Sequence, residues 1–271
     1  MQGAAARFNQ SKQYWKGLVI ATFLLTLFAW LLNTPPGIFG KADAIGYAVC
    51  HQIDLRSFHI GDRQLPLCAR CSGMYLGAMV GLIYQWVVGR RRTGMPPWQI
   101  IVPTSIFVLL FAVDGLNSFF SLFSNGKGLY QPNNSLRLLT GTGMGLAIAV
   151  ALVPAFNATV WKMIDPRPAF IKFRSFLYMV FIALGLNALI LIENNIILYP
   201  LSLISAAGVL ILLTLVYSMV LVMIFKAENR FNQFSQLTYA ILGGCTIALI
   251  QIGLLDFIRY LFTGSWDGFH L

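Results

Sequence analysis

Seven long apolar runs leave this chain little choice of fold. They cover about 17–33, 67–88, 98–122, 136–156, 176–193, 199–225 and 237–262. At about 1.5 Å of rise per residue, each can cross a hydrocarbon core of roughly 30 Å as a helix. The fifth run is short and ends at Glu193. Backbone polar groups in lipid must be paired within the protein, and a helix does this locally. The expected fold class is therefore all-α, a polytopic integral membrane bundle of about seven transmembrane helices in a single membrane domain, 1–271. A mean hydropathy of +0.73 with 10% charged residues excludes a soluble domain, a disordered chain and a nucleic-acid-binding module.

The net charge of +10 is a record of topology. Arg7, Lys12 and Lys16 precede the first run; Arg90, Arg91 and Arg92 follow the second. Lys162, Arg167, Lys172 and Arg174 follow the fourth, and Lys226 and Arg230 the sixth. These twelve basic residues share one side, against seven on the other: Lys41, Arg56, Arg63, Arg70, Lys127, Arg137 and Arg259. The bias predicts a multi-pass cell-membrane protein with a cytoplasmic amino terminus and an extracytoplasmic carboxyl terminus. The first run has the outline of a signal peptide. Its length, and the distance to the small-x-small triplet Ala42-Asp43-Ala44, predict that it is retained as a span. The long loop of residues 34–66 then lies outside.

That loop and the start of the second run carry three of the four cysteines. Cys50-His51-Gln52 precedes Arg56-Ser57-Phe58-His59, and Cys68-Ala69-Arg70-Cys71 opens the span. Three readings are open. Cys68 and Cys71 form a redox pair in the first turn of a helix, where the dipole favours thiolate. Alternatively Cys50, Cys68 and Cys71 bind zinc with a histidine, His59 being the better fourth ligand by spacing and His51 a base or an orienting group. Or two of the cysteines form a disulfide that ties the loop to the helix. Cys245, in mid-span, reads as a small hydrophobe.

Ionisable groups within spans are costly and mark partners or wet cavities. Asp114 shares a helical face with Asn117 and Ser118, and Arg137 opens the fourth span with Thr140 and Gly141. Either these two charges pair or they face a substrate. Asp256 and Arg259, spaced i, i+3, are expected to pair within their helix. Gly73, Gly77 and Gly81 on one span, and Gly141 and Gly145 on another, form ridges for close helix packing.

The segments Cys50-His51-Gln52, Arg56-Ser57-Phe58, Leu65 to Gly77, Asp114-Gly115 and Asn134 to Gly141 resemble a family of prokaryotic membrane proteins known as domain of unknown function 2085. The resemblance covers roughly 50–145. It implies a family-like core of about 45–156 with additional helices over 157–271, and it brings no activity. Asn117 stands where the family's Gln would be expected.

The expected function is that of an enzyme with an outward-facing Cys/His site acting on a lipid or lipid-linked anionic substrate. His51 and Asp114 are its candidate catalytic residues. Cys50, His59, Cys68 and Cys71 would be metal ligands for zinc, and Arg56, Arg70 and Arg137 would hold the substrate's anion. The alternatives are a thiol oxidoreductase using Cys68 and Cys71, and a transporter or lipid translocase with Asp114 and Arg137 in its pathway.

Overall fold

A computed structural model describes residues 2–123 and 128–268 of the chain, with side chains over 14–121 and 128–268. Lys127 and the side chains of Arg7 and Lys12, used above for topology, lie outside the described residues. The helices are α1 (Gln2–Asn33), α2 (Gly37–Val49), α3 (Ala69–Val88), α4 (Trp98–Phe123), α5 (Asn134–Val160), α6 (Phe173–Leu191), α7 (Asn195–Ile224) and α8 (Thr238–Thr263). All but α2 are long and apolar enough to cross a membrane. The protein is an all-α polytopic membrane bundle, and its seven candidate spans fall where the apolar runs predict them.

Local sequence sets the helix ends. The Asn133 side chain accepts the Leu136 N–H at 2.8 Å to start α5, and Asn194 does the same for Ile196 at 2.9 Å to start α7. Gly264, at φ +69°, ends α8 in the left-handed conformation that glycine adopts freely.

The centre of the bundle is a backbone-to-backbone contact between α3 and α5. A Cβ on Gly73 would stand 2.2 Å from the Leu138 carbonyl oxygen, and one on Gly77 would stand 2.5 Å from that of Thr142. In return, a Cβ on Gly141 would meet the Arg70 oxygen at 2.1 Å, and one on Gly145 the Met74 oxygen at 2.0 Å. Both glycine ridges read from the sequence thus face each other. Around this seam, Val80, Leu146, Phe170, Phe176 and Met179 form one cluster of the core, and Phe58, Leu65, Leu76, Leu138 and Leu198 form another. Large side chains such as Leu109, Phe181 and Ile196 point outward, as a lipid-facing surface requires.

The connections gather at two ends. At one end, Arg91 donates to the Asn232 carbonyl, Arg92 lies 3.6 Å from Asp165, and the Lys162 N–H donates to the Phe231 carbonyl at 2.9 Å. Three basic loops therefore meet there. At the other end lies the 34–66 segment, which differs from expectation. Its first half is α2, a buried helix carrying Phe39, Ala42, Ala44, Ile45 and Tyr47 inward. A short antiparallel pair, His59–Ile60 with Arg63–Gln64, follows it. At thirteen residues α2 cannot span a membrane; it caps the bundle against α7 and α8.

The α3/α5 seam gives a direct test. Gly145→Val should lower stability by about 1–3 kcal/mol or more, because backbone, which yields little, occupies the needed space. Gly185→Ala, with nothing within 4 Å of a new Cβ, should leave it unchanged or raise it by up to about 1 kcal/mol, because alanine is the better helix residue. Thermal unfolding in detergent reads both.

Candidate functional site

The thiol cluster is assembled by three short-range constraints. Cys50 caps the end of α2, and α2 approaches the chain before α3 so closely that a Cβ on Gly46 would stand 1.9 Å from the Pro66 oxygen. Gln52, at φ +50°, turns its amide into this junction and donates to the Pro66 carbonyl at 2.9 Å and to that of Asp43 at 3.2 Å. Arg259 of α8 reaches across to the same turn. It donates to the Tyr47 and Cys50 carbonyls at 2.6 Å each and to that of His51 at 3.2 Å, its guanidinium lying 4.0 Å from the centre of the Tyr47 ring. The expected pairing of Arg259 with Asp256 is corrected here: the guanidinium is spent on loop carbonyls, and Asp256 accepts no hydrogen bond from a described residue.

The result is that the sulfurs of Cys50, Cys68 and Cys71 lie within 4.8 Å of one another. Cys50 and Cys68 are buried, Cys71 is partly so, and all are free thiols. The Cys68 N–H donates to the Cys50 sulfur at 3.3 Å. Cys68 sits at the amino-terminal cap of α3, and its thiol is held well below the ordinary value by hydrogen bonds from Cys50, then Cys71, then His51. Cys50 is pushed up to about 12, first by its hydrogen bond to Cys68. The hydrogen bonds within the cluster thus favour thiolate at Cys68 over Cys50.

Of the two histidines, only His51 lies against the thiols. His59 is drawn away to Asp54, at 2.8 Å near the surface, and is not among the residues whose ligand atoms gather. Its strand-like segment points it across the loop. His51, which sequence separation made look awkward, turns back onto Cys68, with Nδ1 accepting the Ile53 N–H at 3.0 Å.

Beside the thiols lies a second cluster. Asp114 of α4 is 1% exposed, and its partner is Arg70 rather than Arg137. Arg70 donates through Nε at 3.0 Å and also through Nη2, which bonds the Asp114 carbonyl at 3.1 Å and the Ser118 hydroxyl at 2.8 Å as well. Tyr130 completes the carboxylate's shell, its hydroxyl donating to Oδ1 at 2.8 Å, and Thr140 adds a longer bond at 3.3 Å. Burial and this contact push the Tyr130 hydroxyl up to about 12. Asn117 holds the Tyr130 segment, donating to its carbonyl at 3.0 Å and accepting the Leu129 N–H at 2.7 Å. Nothing in the sequence between spans singled out Tyr130, since a tyrosine in a short loop carries no pattern.

Arg56 and Arg137 share the electrostatic neighbourhood of Arg70, Asp114 and Cys68. Arg56 donates to the Ser118 carbonyl at 3.0 Å, and burial followed by the Arg70 charge lowers its proton affinity. Arg137 is 6% exposed, bonds Asn134 at 2.9 Å, and keeps its Nε without a partner among the described residues. Three guanidiniums thus surround one carboxylate, and one of them is buried with donors to spare. This arrangement can take an anion.

The family described as "Predicted membrane protein (DUF2085)" matches residues 50–151, a segment that contains the three thiols, His51, Arg56, Arg70, Asp114, Tyr130, Arg137 and Thr140. An uncharacterized protein of Methanocaldococcus jannaschii is 32% identical over 150 residues, covering 53% of this chain and 88% of its own length. An uncharacterized protein of Methanothermobacter thermautotrophicus is 29% identical over 102 residues, covering 38% of this chain and 82% of its own. No solved structure matches. With the membrane bundle, the matched segment and a relative spanned over most of its length, the chain belongs to the DUF2085 family of membrane proteins.

Proposed function

We propose that the protein is a membrane-embedded enzyme that holds zinc on Cys50, Cys68 and Cys71 and acts on a lipid or lipid-linked anionic substrate bound by Arg56, Arg70 and Arg137. The observation that carries this reading is the meeting of three thiols with a surplus of guanidinium charge. Three thiolates on tetrahedral zinc, with Zn–S bonds of about 2.3 Å, stand about 3.8 Å apart, a modest contraction of the observed cluster. His51 fits the role of a supporting group better than that of fourth ligand. Its Nδ1 accepts a backbone N–H, so its other nitrogen carries the proton and can donate toward Cys68. The fourth position is then left to water or substrate, the arrangement that distinguishes catalytic from structural zinc. Bound zinc would supply a Lewis acid and an activated water. Arg137, whose Nε has no partner among the described residues, would grip the anionic group, while Arg56 offsets its charge from the loop side.

Purified without chelator, the full chain should carry about one zinc per molecule by elemental analysis, and Cys68→Ser should lose it. A metal-free wild-type protein would overturn the reading. It would favour the thiol oxidoreductase, for which the lowered Cys68 thiol beside Cys71 is the specific support. In that case Cys71→Ser should abolish dithiol exchange.

Asp114 separates these readings from transport. It is fully engaged by Arg70, Tyr130 and Thr140, which suits a positioning role. Asp114→Asn should strand the Arg70 charge and cost about 3–5 kcal/mol of stability, read by thermal unfolding. A fully stable Asp114→Asn protein would point instead to a carboxylate kept for a moving cargo.

The basic bias of the opposite loops supports an extracytoplasmic position for the site. Asp62→Cys, on the exposed turn of the short antiparallel pair, should label with an impermeant maleimide on intact cells, whereas Met163→Cys, exposed at the other end, should label only after lysis. The reverse pattern would put the thiol site inside.

A further inference from the structure

Asp256 is left over from everything above. It lies on α8, outside the family segment, at 3% exposure, and neither carboxylate oxygen accepts a hydrogen bond from a described residue. The Trp30 indole N–H of α1 faces it without closing a hydrogen bond. A carboxylate in such a place is costly and calls for a partner.

Both groups line a groove of about 600 Å³ between α1 and α8, whose walls include Gly253, Phe257, Tyr260 and Trp266. Its charges are ordered. Asp256 provides a buried carboxyl group among aromatic rings, and Arg259, one turn on, is spent on the loop carbonyls of Tyr47, Cys50 and His51. Lys41 stands next to the groove, bonded to Thr34 of its lining. Its ammonium donates to the Thr34 carbonyl and hydroxyl at 3.0 and 2.8 Å, and also to the Leu31 carbonyl, and lies 5.9 Å from the centre of the Trp30 ring. A ligand that satisfies both levels carries a cation with N–H donors at one end and an anion a few bonds away. Aromatic faces favour the cation, the carboxylate needs the donors, and the nearby lysine suits the anion. A quaternary ammonium would meet the rings but could not donate to Asp256.

We propose that the α1/α8 groove binds the head group of a phospholipid bearing a primary ammonium, with Asp256 accepting from the ammonium and the nearby charge of Lys41 attracting the phosphate. The site is independent of the thiol cluster and of what that cluster does.

The test uses the full chain in nanodiscs of phosphatidylcholine doped with phosphatidylethanolamine or phosphatidylglycerol, with retained lipid counted by native mass spectrometry. Phosphatidylethanolamine should be retained over the other two by about tenfold, the scale of one charge-assisted hydrogen bond. Asp256→Asn should erase the preference. Gly253→Leu should block the groove: a Cβ there would meet only Trp30 Cδ1 at 3.8 Å, so the added bulk projects into the space without clashing with backbone. Cys68→Ser should leave the preference intact, which separates this proposal from the zinc reading. Equal retention of the three lipids would overturn it. So would a preference that survives Asp256→Asn in a protein with wild-type unfolding. If Asp256→Asn does not fold, a preference surviving Gly253→Leu overturns it equally.

Discussion

The close approach of α3 to α5 is the constraint on which the rest of the site depends. Glycines on both helices let carbonyl oxygens of one stand where the other would carry a Cβ. In lipid, where apolar surface gains nothing by leaving its solvent, such contact is what holds helices together. It also fixes chemistry. The Arg70 and Met74 carbonyls that rest on Gly141 and Gly145 belong to the same turns as Cys71, so the depth of α3 against α5 sets where the thiols and the Asp114 ion pair lie relative to Arg137 and Thr140.

Much of this architecture was legible because it rests on period and composition. Apolar runs long enough to span lipid gave the seven helices, and the glycine ridges gave the packing faces. What the sequence could not convey was the pairing of charges across helices. Asp114 chose Arg70 over Arg137 because the bidentate reach of a guanidinium from the first turn of α3 depends on helix rotation, which no spacing within one segment encodes. Arg259 likewise bonded carbonyls more than two hundred residues away instead of the carboxylate one turn back. The two histidines show the same lesson at short range. Cys50 and His51 are neighbours whose side chains point apart in an extended strand, but the turn that Gln52 makes at positive φ brings the His51 ring back onto Cys68.

Helix α2 escaped notice for a different reason. It is too short to span and sits between two prolines and a polar turn, so its residues read as a loop. Its stability comes from burying Phe39, Ile45 and Tyr47 against α7 and α8, and from Arg259 anchoring its last turn. Tertiary contact of this kind commonly decides a marginal helix. The consequence is functional, because the carboxyl-terminal helix, outside the family segment, thereby grips the Cys50-His51 turn within it.

Charge balance makes the thiol and arginine clusters interdependent under the proposed reading. Arg56, Arg70 and Arg137 bring three positive charges, and Asp114 answers only one of them. A single Cys68 thiolate would leave the region one charge positive. Three thiolates on a divalent metal also carry one net negative charge, so the surplus is the same. The arginines thus favour thiolate over thiol at Cys68 in either state, and in either state an uncompensated guanidinium remains beside it. Arg137, buried and with no partner for its Nε among the described residues, is the group with capacity for that remaining charge. Under that reading, an anion arriving there would complete both its hydrogen bonding and the neutrality of the site, so that substrate charge, more than substrate shape, would decide binding.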